Sequence, residues 1–72
     1  MFKKYPKRYR LFCTKLKQAR IDAGLVQQEA ARSLGVSQQF ISKCETGERR
    51  VDFIELIECS KVYGKPISYF EP

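Results

Sequence analysis

Between Leu25 and Gly47 the chain reads LVQQEAARSLGVSQQFISKCETG, and no other stretch constrains the fold as much. It carries two short helical repeats with a single glycine, Gly35, between them. In the first repeat Ala30, Ala31 and Leu34 share a face. The small side chains at Ala30 and Ala31 allow a second helix to approach closely. Gly35 supplies the left-handed backbone that ends such a helix, and Val36 is placed to pack under the turn. Ser37 then offers its hydroxyl to an orphan backbone N–H as an N-cap. Ile41 and Cys44, three residues apart, point inward, which leaves Gln38, Gln39, Ser42, Lys43 and Thr46 facing out. Gly47 closes the second repeat.

Two helices joined in this way are the layout of a helix-turn-helix, whose second helix enters the major groove of DNA. The outward residues suit that task. A glutamine amide pairs in a bidentate way with adenine N6 and N7 at the groove floor. The competing reading of the same glutamines is a solvated helix face, and the rest of the chain decides between them.

The charge distribution favours a polyanion. The net charge is +6, but it is concentrated. Residues 1–20 hold Lys3, Lys4, Lys7, Arg8, Arg10, Lys15, Lys17 and Arg20 with no acid, whereas residues 51–72 set Lys61 and Lys65 against Asp52, Glu55, Glu58 and Glu71. A basic end opposite an acidic end implies an anionic partner on one side, although a basic tail alone also serves solubility.

Seventy-two residues allow one small core. The spacing predicts an all-α fold of five helices. A basic, aromatic arm is expected over residues 1–6, and a helix-turn-helix domain over residues 7–72. The first helix runs from about Lys7 to Ala23, with Phe12, Leu16 and Ala19 inward and Leu11 near the edge. Asp52 and Glu55 form a capping-box start for the fourth helix. Phe53, Leu56, Ile57, Cys59, Ser60 and Tyr63 give that helix its buried stripe, and Gly64 ends it. Pro66 suits the first turn of a short fifth helix burying Ile67 and Phe70. No strand pattern, internal repeat or low-complexity segment is present.

The segment resembles the phage-repressor type of helix-turn-helix, the Cro/C1 family also called the xenobiotic-response-element (XRE) family. The resemblance covers about Phe12 to Phe70. It is carried by Leu16, Arg20, Gly24-Leu25, Gln27, Ala31, Gly35-Val36-Ser37, Ile41-Ser42-Lys43, Glu45 and Gly47-Glu48-Arg49-Arg50, then by Asp52, Leu56, Gly64 and Pro66-Ile67-Ser68-Tyr69-Phe70. Many spacings agree at once, which makes the match specific. It implies a compact, lambda-repressor-like fold that binds double-stranded DNA with helix 37–46 in the major groove, as a small transcriptional regulator, most simply a repressor.

The same resemblance, with the side-chain chemistry, distributes roles. Gln38 and Gln39 are expected at base edges, and Lys43 within reach of a base or a phosphate. Gln27 opens the second helix, where an amide and a helix N-terminus hold a phosphate. Arg49 and Arg50 follow in a loop that grazes the DNA backbone. Ser37, Ser42 and Thr46 supply hydroxyl contacts, while Phe40 is expected to pack. Arg20 and Glu45 are expected to pair as a structural clamp. The chain also departs from the family. Val26 replaces the usual Ser or Thr cap, Ala19 and Ala30 replace leucines, Cys44 stands where a larger residue is frequent, and Cys59 where isoleucine is common. A slightly under-filled core follows.

One such module reads few base pairs, so a homodimer on DNA is expected, formed by the domain itself around Tyr69 and Phe70. Two other classes fit a chain of this kind. One is an antitoxin that binds a toxin and represses its own promoter; the other is a protein-interaction module. The sequence lacks an obvious toxin-wrapping tail, and it retains the amide and basic residues of the reading face. Enzymatic activity is not expected: there is no histidine, no credible carboxylate pair and no phosphate-binding glycine loop. Cys13, Cys44 and Cys59 are widely spaced and odd in number, which reads as free thiols rather than a disulfide framework, a metal site or a redox sensor. No cofactor or metal is expected. No apolar run approaches a membrane span and no signal peptide is recognisable, so the expected location is the cytoplasm, on the nucleoid when DNA-bound.

Overall fold

A proline opens the first helix, where its missing N–H is no loss because that group has no partner in the helix. The computed structural model describes residues 6–72, and α1 spans Pro6–Asp22. The basic arm expected at residues 1–6 therefore lies outside the described residues, apart from Pro6 itself. Three further helices follow: α2 (Gln27–Leu34), α3 (Gln38–Thr46) and α4 (Phe53–Tyr63). No strand occurs among the described residues, and the fold is all-α.

The expected fifth helix is a four-residue 3-10 helix, Ile67–Phe70. Its N–H groups reach three residues back, from Tyr69 to the Pro66 carbonyl (2.9 Å) and from Glu71 to the Ser68 carbonyl (3.3 Å). The segment between Pro66 and Pro72 is too short for α-helical bonding to repeat.

The helix ends follow the sequence signals. Ser37 Oγ accepts the Phe40 N–H (3.1 Å), and Asp52 and Glu55 exchange side-chain and backbone bonds as a capping box (2.8 and 3.0 Å). The Val26 side chain has no oxygen to offer to α2, but Glu29 accepts the Val26 N–H (3.0 Å), which keeps half of a capping box. Gly35 takes φ +71°, and the Val36 N–H folds back onto the Ala31 carbonyl (3.0 Å). That bond closes the C-terminal end of α2.

α1 packs on α3 and α4, α2 packs on α3 and α4, and the 3-10 helix closes against α1 and α4. The core contains Leu16, Ala19, Ala30, Cys44, Tyr63 and Phe70, with Phe12, Leu34, Phe40 and Leu56 packed around it. Phe70 is sealed at 1 % exposure. Between α1, α3 and α4 lies a cavity of about 20 Å³ bordered by Leu16, Cys44, Cys59 and Tyr63. Two of the small residues that replace larger ones in the family pattern border it.

Two burial expectations are corrected. Phe53, expected in the buried stripe of α4, is 64 % exposed, and Ile67 is also exposed. The inward side of α4 is occupied by Leu56, Cys59 and Tyr63. Phe53 shares their helical phase but sits in the first turn, where it borders an open surface groove with Tyr9, Phe12 and Leu56. The expected dimer surface around Tyr69 and Phe70 is also affected by burial. Phe70 is core, and Tyr69 is half-buried, with the Lys15 and Lys65 ammonium groups 5.5 and 4.7 Å from its ring centre. The exposed apolar side chains in this region are Phe53, Ile54 and Ile67.

Candidate nucleic-acid interface

α3 divides its residues between two tasks. Ile41 and Cys44 are buried. Gln38, Gln39, Lys43 and Thr46 are exposed, and Ser42 is half-buried. Nine residues at 1.5 Å each make a rod of roughly 14 Å, short and narrow enough for a major groove about 12 Å wide. The rod presents two amides at its start, an ammonium a turn later and hydroxyls alongside. The two hydroxyls at its ends have partners in the helix or just beyond it. Ser37 caps it, and the Thr46 hydroxyl lies 3.2 Å from the Lys43 carbonyl and 3.3 Å from the Glu48 carboxylate.

The inner side of α3 is held by charge. Arg20 of α1 donates from Nε to Glu45 Oε2 (2.7 Å) and from Nη2 to Oε1 (3.1 Å). Its Nη1 donates to the Leu25 carbonyl (2.8 Å), just before α2. The two side chains are only 9 and 5 % exposed. Gln27 donates its amide to Glu45 Oε1 as well (3.1 Å). One buried carboxylate thus joins α1, the start of α2 and the end of α3, and it fixes the angle at which α3 stands out from the domain. The Glu45 bonds push the Arg20 guanidinium above its ordinary pKa. Gln27, expected at a phosphate, is half-buried with its –NH2 turned to this clamp.

The loop after α3 is equally structured. The Arg49 guanidinium forms a two-pronged pair with Glu55 (2.8 and 2.9 Å), donates to the Arg50 carbonyl (2.8 Å) and lies 4.3 Å from the centre of the Phe40 ring. Phe40 packs against the core beneath it. The pairing with Arg49 holds the Glu55 carboxyl below its ordinary range. Arg50 is exposed and lies 4.1 Å from the Tyr9 ring centre. The Tyr9 hydroxyl donates to the Arg49 carbonyl (3.3 Å) and accepts the Val51 N–H (3.0 Å). Arg49 and Arg50, alike in sequence, therefore differ in structure: one guanidinium braces the loop and the other stands over an aromatic ring at the surface.

Sequence reasoning missed Tyr9 and the Arg49–Glu55 brace. Tyr9 gave a weak signal, a tyrosine one turn ahead of the Phe12–Leu16 stripe. The brace crosses from a loop to a helix, where periodicity carries no information.

The three thiols are free. Burial raises the pKa of Cys13 and Cys44 and pushes Cys59 up to about 12. Among the described residues no group of three His, Cys, Asp or Glu side chains is placed to hold a metal ion, and no helix is long and apolar enough to cross a membrane.

A helix-turn-helix family profile matches residues 16–70 of this chain. No individual curated protein matches it. The profile spans α2, the Gly35 turn, α3 and the closing elements, so the chain belongs to the Cro/C1-type, XRE-like helix-turn-helix family of DNA-binding regulators.

Proposed function

We propose that the chain is a sequence-reading transcriptional repressor that inserts helix 37–46 into the major groove of double-stranded DNA, in the cytoplasm on the nucleoid. The observation that carries this reading is α3 itself. Its inner edge is clamped by Arg20 and Glu45, while the Gln38 and Gln39 amides stay exposed at its N-terminal end. Gln38 and Gln39 read base edges, with Lys43 a turn beyond. Ser37 and Ser42 donate their hydroxyls to bases or phosphates, and the Thr46 hydroxyl, which faces the Lys43 carbonyl, offers its oxygen to a base donor. Gln27 holds a phosphate through the second N–H of its amide and the adjacent helix N-terminus, while the other N–H stays on Glu45. Arg50 meets the DNA backbone, and Arg49 holds the loop that presents it.

The domain at residues 7–72 works as a homodimer on two half-sites about one helical turn apart. Phe53, Ile54 and Ile67 supply the contact, since they are the large apolar side chains exposed on α4 and the 3-10 helix. A second copy of the same chain is the occupant because a two-fold contact presents the same patch from both sides.

Selection of bound sequences from a random duplex library, followed by a salt titration on the best site, tests the whole reading. The expected result is an enriched motif with two-fold symmetry, bound more weakly as salt rises. A Phe53→Ser variant keeps the fold but binds one copy per site. Absence of any enriched motif overturns the reading, and a single copy per site at saturation in the parent overturns the dimer.

A further inference from the structure

The family match begins at residue 16, yet α1 begins at Pro6. About three turns of helix therefore precede the matched residues. We propose that this extension is a second DNA-contacting element, which grips duplex phosphates flanking the sequence read by α3. The inference rests on the DNA-binding reading above and adds a separate surface to it.

Three observations carry it. The first is attachment. Through its two hydrogen bonds to Arg49 and Val51, Tyr9 pins the start of α1 to the loop that follows α3, across 40 and 42 residues of sequence. The extension is thus fixed beside the loop that meets the DNA backbone.

The second is register. Cys13 and Arg20 mark the side of α1 turned toward α3: a Cβ on Gly47 would sit 3.7 Å from the Cys13 sulfur, and Arg20 holds Glu45. Arg10 and Lys17 lie three residues before and four residues after Cys13, so both border that side. Lys7 is one further turn along. Lys7, Arg10 and Lys17 are all exposed.

The third is charge. No carboxylate among the described residues forms an ion pair with Lys7, Arg10 or Lys17, and the first acid in the chain is Asp22. Arg50, held over the Tyr9 ring, adds a cation from the loop at the same end of α1. A stripe of cations with no acid between them suits a row of phosphates better than it suits a protein surface, where both signs would alternate. Tyr9 acts as the positioning residue: it touches no DNA but sets where the stripe stands.

The test compares the parent with a Lys7→Gln/Arg10→Gln/Lys17→Gln variant and with Tyr9→Phe. Each is titrated with salt on the selected duplex and on a scrambled one, with flanks of about ten base pairs, one helical turn, or trimmed flush with the motif. Each complex is also footprinted with hydroxyl radical. The expected result for the triple variant is the same preferred motif, a salt slope smaller by about two to three, and loss of protection outside the motif. Trimming the flanks lowers the parent's slope to that of the variant. Tyr9→Phe keeps every charge yet weakens the flanking protection.

Selective binding with unchanged slope and footprint in the triple variant overturns the inference and leaves the α3 reading standing. Non-selective binding in the parent whose slope still falls in the triple variant does the reverse. No binding by the parent to either duplex overturns both. A Tyr9→Phe footprint identical to that of the parent removes the positioning role.

Discussion

Replacing Glu45 with glutamine leaves the size of the side chain almost unchanged and removes its charge. In the parent, Oε2 accepts Arg20 Nε, and Oε1 accepts both Arg20 Nη2 and Gln27 Nε2. In the variant one oxygen becomes an –NH2, which faces donors whichever way the amide is turned. The Arg20 guanidinium, on a side chain 9 % exposed, then keeps its Leu25 carbonyl but has no counter-charge. Removing one partner of a buried pair costs about 3–5 kcal/mol. At roughly 0.05–0.15 kcal/mol per residue, a chain of this size has a total stability of only about 4–11 kcal/mol. The loss is therefore a large share of the whole. At about 4–8 °C per kcal/mol for a domain of this size, Glu45→Gln lowers the Tm by more than about 10 °C. Thermal and urea unfolding followed by circular dichroism measure it. The double variant Arg20→Met/Glu45→Leu, which removes both charges, recovers part of the loss, and a full double-mutant cycle gives the coupling. A Glu45→Gln protein that melts with the parent refutes the clamp.

Three further outcomes follow from the structure. Gln39→Ala lowers affinity for the selected site by about 1–3 kcal/mol, roughly 5- to 150-fold, and relaxes one position of the motif; a uniform loss over all sequences contradicts base reading. Glu55, whose carboxyl Arg49 holds below its ordinary value, contributes stability above that value, about 4.3, and the contribution is lost as pH falls through the lowered folded-state pKa. Stability therefore drops on acidification from about pH 4.5 downward, and a Glu55→Gln protein, less stable at neutral pH, shows less of that drop. Cys13, Cys44 and Cys59 have raised pKa values from burial, so a thiol reagent at neutral pH modifies the native protein slowly and all three sites rapidly in urea; fast native labelling contradicts the burial.

The helix-turn-helix was legible because each of its signals is local. A cap at Ser37, a turn at Gly35 and an inward pair at Ile41 and Cys44 all fall within ten residues. The Arg20–Glu45 pair spans 25 residues and was reached through family resemblance, since nothing local connects the two side chains. The structure added what periodicity does not encode. Phe53 lies in phase with Leu56 and Tyr63, but phase gives direction and not depth, so its exposure at the groove beside Tyr9 and Phe12 was invisible. Arg49 and Arg50 are adjacent and chemically identical. Only the placement of Glu55 one turn into α4 separates the brace from the exposed cation.

The cavity beside Cys59 offers a final test, because it links the departures from the family pattern to stability. Leu16, Cys44, Cys59 and Tyr63 border about 20 Å³ of space, and Cys59 is only half-buried. Cys59→Val adds one methyl-sized group toward that space. Valine and cysteine have similar helix propensities, so the backbone of α4 is little affected. Burying about one extra methyl group contributes roughly 0.8 kcal/mol, a rise in Tm of about 3–6 °C. The substituted position lies on α4, away from the exposed face of α3, so DNA affinity stays at the parent value. A fall in Tm instead shows that the walls have no room, since overpacking costs about 1–3 kcal/mol. In that case the small residues at 44 and 59 are fitted to each other, and the larger side chains of the family pattern have no place in this core.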